Sequence, residues 1–123
     1  MTYANSQDVA RRTLTQIARN YRWFSLPDDE TELRDLTRMW AYAFSKVRYP
    51  EFVWARALGS ILSSAKAGDN PPMPGDVLHH CRLVVDSLHG DELKQIEQLR
   101  AERKAEQDRE LARKQSKIGR AHV

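Results

Sequence analysis

Three prolines in four positions, Pro71, Pro72 and Pro74, constrain this 123-residue chain more than any other feature. Proline lacks a backbone N–H and fixes φ, so no helix or central strand runs through such a cluster. Pro74 fits the first turn of a new helix, where its missing donor costs nothing, and Asp76 falls where a helix dipole favours an anion. The segment therefore predicts a stop followed at once by a start. Ala67-Gly68-Asp69-Asn70-Pro71-Pro72, which leads into it, reads as a loop.

Apolar residues on either side recur at helical spacing. A first helix opens at Asn5 or Ser6, carries Val9, Thr13, Ile17 and Tyr21 at every fourth position with Leu14 and Ala18 widening the stripe, and fails near Asn20. Tyr21 through Pro27 reads as an irregular aromatic connector. Asp28 or Asp29 caps a second helix with Glu30 and Glu32 in its first turns, and Leu33, Leu36, Trp40, Ala43, Phe44 and Val47 inward. Pro50 is placed at the first position of a third helix bearing Val53, Trp54, Ala57, Leu58, Ile61 and Leu62. Gly59 and neighbouring serines weaken that helix but admit a close neighbour. The fourth, from Pro74, turns Val77, Leu78, Cys81, Val84, Val85 and Leu88 inward, with Gly90 as its left-handed terminator. No β-hairpin signal or internal repeat occurs. The predicted fold is all-α, a small four-helix domain over residues 1–90 followed by a long charged helix or partly disordered arm over 91–117.

Leu93 and Ile96 can extend the core into that arm, but beyond Leu99 polar Arg100, Arg103 and Gln107 break the heptad seam. A structural adaptor dimerising through this helix is therefore disfavoured. Ile118-Gly119-Arg120-Ala121-His122-Val123 reads as the translation of a sequencing adapter, so 118–123 is expected to be a non-native tail and the gene to be cut near Lys117.

The formal charge of +3 is spread thinly: residues 1–90 hold eleven Lys/Arg against ten Asp/Glu, and 91–117 hold eight against seven. No segment has the charge density that dominates phosphate binding. The best case for nucleic acid is Arg11, Arg12, Arg19 and Arg22 interleaved with Tyr21 and Trp23, a combination that can hold phosphate and stack bases, so a weak single-stranded DNA contact is carried as an expectation. Cys81 is the sole cysteine, so no intrachain disulfide can form, which fits a reducing cytoplasm. The N-terminus has no secretory pattern, and no apolar run is long enough to span a bilayer. His79, His80, Cys81 and His89 lack metal-ligand spacing, and adjacent helical residues diverge by about 100°. Helix capping accounts for Asp28, Asp29, Glu30 and Glu32. No nucleophile, base or phosphate loop stands out. The expectation is a non-enzymatic, cofactor-free protein.

Two strings carry a family resemblance: Trp40-Ala41-Tyr42-Ala43-Phe44, preceded by Glu32-Leu33-Arg34-Asp35-Leu36, and Pro72-Met73-Pro74-Gly75-Asp76-Val77-Leu78-His79-His80-Cys81-Arg82. In this order and spacing they resemble two blocks of lambda-type phage replication protein P, over roughly residues 8–88. Val77 and His80 depart from the family, which tends to have aromatic residues there. The resemblance implies a non-enzymatic helicase loader in the bacterial cytoplasm. Its partners would be the host's hexameric replicative helicase and a phage origin-binding initiator. Trp40, Ala43, Phe44, Pro72, Pro74, Gly75 and Cys81 would be family-motif residues with structural roles. The alternative is a small phage DNA-binding or transcription-regulatory module, disfavoured because none of helices two to four is a basic recognition helix.

Overall fold

The computed structural model describes residues 4–66 and 68–121, with side chains through 115. Met1, Thr2, Tyr3, the loop residue Ala67 and the last residues of the expected tail, His122 and Val123, lie outside the described residues, as do the side chains of 116–121.

Five helices run in order: α1 Ser6–Asn20, α2 Glu30–Phe44, α3 Glu51–Ser64, α4 Pro74–Asp86 and α5 Asp91–Ala121. Among the described residues there is no strand. The first four form two packed pairs, α1 on α2 and α3 on α4, joined by contacts of α2 with α4 and α1 with α3.

The helix starts follow from side-chain acceptors. The Asn5 carboxamide accepts the N–H groups of Gln7 (2.9 Å) and Asp8 (3.2 Å), and Asp29 rather than Asp28 caps α2 by accepting from Thr31 at 3.4 Å. At α4 the Asp76 carboxylate reaches back to the Met73 N–H at 2.8 Å, with Pro74 at the first helical position. Asp76→Ala is therefore expected to cost about 0.5–1.5 kcal/mol in urea unfolding, and Asp76→Asn, which keeps an acceptor, less. Equal losses from the two would argue against the cap.

Three boundaries differ from the sequence reading. α2 ends at Phe44, so Val47, expected on its inner face, lies half-buried in the connector beyond it. Pro50 is the cap of α3 and not its first residue: its ψ of 163° is extended, while its carbonyl already accepts from Val53 at 3.1 Å. Gly90 does not terminate α4. That helix ends at Asp86, where the Ser87 N–H bonds back to Leu83 and Val84. Gly90, at φ +63°, instead turns the chain into α5, and its carbonyl accepts from Lys94. The α3 serines do not break their helix, since Ser63 and Ser64 hydroxyls bond back to the Ser60 carbonyl.

The core is built around a run of aromatic rings. Trp40 meets Phe44 edge-on at 5.9 Å, Phe44 meets Trp54 at 4.8 Å, and Trp54 meets Tyr49 at 5.6 Å. These contacts tie α2, the α2–α3 connector and α3 together. Around them pack Leu14 and Ile17 of α1 and Val77, Cys81 and Val85 of α4, all buried.

The segment after Gly90 is neither loose nor wholly solvated. It is helical to Ala121, about 46 Å long at 1.5 Å per residue. Ile96 is completely buried and Leu99 nearly so. Ion pairs of Arg56 with Glu92 (2.7 Å) and Arg48 with Glu106 (2.6 Å) hold it against α3 and the α2–α3 connector. No helix among the described residues is long and apolar enough to cross a membrane.

Candidate functional site

The motif residues gather inside the molecule. Trp40 and Phe44 are buried and Ala43 is half-buried, whereas Tyr42, in the middle of the same string, is 70% exposed with the Lys46 ammonium 5.2 Å from its ring centre. Pro72 is buried, Pro74 half-buried and Gly75 exposed. A Cβ on Gly75 would meet nothing within 4 Å, so no steric demand there requires glycine. Cys81 is fully buried, and burial pushes its thiol up to about 12, which removes the thiolate a nucleophile needs at neutral pH. The His79 and His80 rings sit at 85° to each other, and among the described residues no group of three or more His, Cys, Asp or Glu could hold a metal ion.

The arginine–aromatic set does not form one surface. Tyr21 is buried against the core, so its ring cannot stack a base. The Arg12 guanidinium is engaged by both carboxylate oxygens of Glu51, one at 3.0 Å. Arg22 and Trp23 remain exposed as a pair, the guanidinium carbon 5.4 Å from the centre of a ring that is 72% exposed. Arg11 and Arg19 are exposed on α1.

The Arg12–Glu51 pair is titratable. The hydrogen bond from Arg12 holds the Glu51 carboxyl below its ordinary 4.5, against a smaller opposing effect of burial. A lowered folded-state value means that the stabilisation is present above 4.5 and is lost as pH falls through that lower value. Both side chains are more than half exposed, so it amounts to under about 1 kcal/mol. Arg12→Gln is expected to lower the urea midpoint at pH 7 and to leave it unchanged at pH 2. A deficit equal at both values would contradict the assignment.

A groove of 470 Å³ lies between α1 and α3. Val9, Thr13 and Trp54 form its buried floor, the partly exposed Leu58 and Leu62 form a wall on α3, and Gly59 leaves that wall low. The Arg12–Glu51 pair stands at the start of α3, with Arg11 beside it. The Trp54 indole N–H is buried with no hydrogen-bond partner. Sequence reasoning missed this groove. Ala55, Leu58, Gly59 and Leu62 repeat at helical spacing, but only the approach of α1 turns their flank into a wall. Two polar recesses are smaller. One, of 310 Å³, lies among Tyr21, Asp69, Asn70, Pro72, Asp76 and His80. The other, of 430 Å³, lies between Ser45 and Arg48 and the middle of α5.

Compared with known proteins, the chain matches no family model, no curated protein and no solved structure.

Proposed function

We propose that this protein binds the host replicative helicase, and an origin-bound initiator, as a non-enzymatic phage replication protein of the lambda-type replication protein P kind. What supports the reading is the pair of strings that resemble that family. The helices that bear them, α2 with Trp40 and Phe44 and α4 behind Pro72 and Pro74, pack against one another, as two parts of one structural joint would. The action is stoichiometric contact in the bacterial cytoplasm rather than turnover. The organisation that goes with it is a four-helix domain over residues 1–90 and a charged helical arm over 91–117, whose buried Ile96 and Leu99 close the core. Titrated into an unwinding assay of the host helicase, the protein is expected to inhibit, with the effect saturating at a fixed number of protomers per hexamer. Undiminished unwinding in large molar excess would overturn the reading.

A DNA-binding module is the second reading, favoured by the exposed Arg22–Trp23 pair. It predicts a gel shift of single-stranded DNA that weakens with salt and is lost in Trp23→Ala.

A further inference from the structure

We propose that the polar recess where the ends of α1 and α3 meet the start of α4 is a binding site for an organic cation with several N–H donors, a guanidinium or alkylammonium group. The site is independent of the helicase reading.

Local structure brings its acceptors together. Asp76 and His80 are four residues apart on α4 and so share one face. Asp69 is fixed in the preceding loop by Lys66: its N–H donates to the Lys66 carbonyl at 3.0 Å, and its carboxylate accepts the Lys66 N–H at 2.7 Å. Tyr21, the residue that ends α1, closes the recess from the other side. With Asn70 and Ser64 these side chains line a volume of 310 Å³.

Tyr21 separates this recess from an ordinary solvated acidic loop. The residue is only 8% exposed, yet its hydroxyl makes no hydrogen bond among the described residues. Nor is that hydroxyl sealed in the core, as the unpartnered Trp54 indole N–H is, so it opens on the recess. Burial raises the Tyr21 phenol above its ordinary 10, and the Asp69 and Asp76 carboxylates raise it further, which puts the oxygen within electrostatic reach of both.

Charge then selects the ligand. Each carboxylate spends one oxygen on a backbone N–H, Asp69 on Lys66 and Asp76 on Met73, and neither joins an ion pair among the described residues. No lysine or arginine lines the recess. The start of α4 would by itself attract an anion, but Asp76 already stands there. A metal ion fits poorly, since among the described residues no three His, Cys, Asp or Glu converge closely enough to hold one. A guanidinium or ammonium group donates in several directions across a wider span. The second oxygens of the two carboxylates and the Tyr21 hydroxyl can accept from it.

The probes are blocked arginine (N-acetyl-arginine amide) and spermidine, each titrated in physiological salt and followed by amide NMR. N-acetyl-citrulline amide, of nearly the same shape but uncharged, is the control. The expected result is saturable binding on the order of millimolar, because the two carboxylates are exposed and screened. The shifts should centre on Tyr21, Ser64, Asp69, Asn70 and the first turns of α4. Affinity should fall at least threefold in Tyr21→Phe and in Asp69→Asn, and at least tenfold when Asp69→Asn is combined with Asp76→Asn. It should stay unchanged in Asp35→Asn on the exposed side of α2. These variants should fold: Tyr21→Phe removes a hydroxyl without a partner, and each asparagine keeps an acceptor for the Lys66 or Met73 N–H. Tighter binding of blocked arginine would assign the site to a side chain of a partner protein, and tighter binding of spermidine to a free polyamine. Three results would overturn the proposal: no saturation by either cation at tens of millimolar, citrulline binding as well as arginine, or affinity indifferent to either Tyr21→Phe or Asp69→Asn.

Discussion

Phe44→Ala is expected to lower the unfolding free energy by about 3–5 kcal/mol, enough to leave a domain of this size largely unfolded at 37 °C. Phe44 is completely buried and touches both Trp40 and Trp54, so its removal opens a cavity where α2 and α3 meet. The ring also contributes edge-on and tilted aromatic contacts worth about 0.5–1.5 kcal/mol beyond area. Urea unfolding followed by tryptophan fluorescence suits the measurement, because the two indoles in contact with Phe44 report on the site itself. A loss below about 1.5 kcal/mol would mean that the cluster is not the centre of the core, whereas Tyr42→Ala, on the exposed side of α2, should change little.

The second large effect lies in α5. Ile96 is fully buried and Leu99, at 2% exposure, lies less than one turn away. Ile96→Ala and Leu99→Ala are each expected to cost about 2–5 kcal/mol, and the double variant less than the sum because the two sites adjoin. A chain ending at Gly90 loses both side chains and the Arg56–Glu92 and Arg48–Glu106 ion pairs, and should fail to unfold cooperatively. The measurement is the steepness and midpoint of its urea transition by circular dichroism at 222 nm. A sharp transition at the full chain's midpoint would mean that α5 is dispensable to the core.

These two cases mark what was legible in the sequence. Phe44 and Trp40 were legible because a four-residue apolar spacing on a capped helix leaves them no other face. Ile96 was half-legible: the spacing marks it as able to join the core, but the charge around it argues for solvent, and only the packing of α5 against the first four helices decides. The helix starts at Asn5, Asp29 and Pro74 come from local chemistry, which sequence records directly. Gly90 misled because its left-handed φ serves the start of one helix as well as the end of another, and sequence does not distinguish the two. The candidate site was least legible of all. Arg12 and Glu51 are 39 residues apart, and the groove beside them exists only where α1 crosses α3. Tyr21 had two readings, on the four-residue apolar stripe from Val9 and among arginines that could offer it to a nucleic acid, and its burial agrees with the first.

Helicase binding is tested most directly by sedimentation velocity of the protein mixed with the purified hexameric host helicase, each at tens of micromolar and in physiological salt. The expected result is a single faster boundary containing both proteins, at a fixed ratio of protomers and without nucleotide turnover by this chain. Two boundaries sedimenting at the rates of the separate proteins would contradict it.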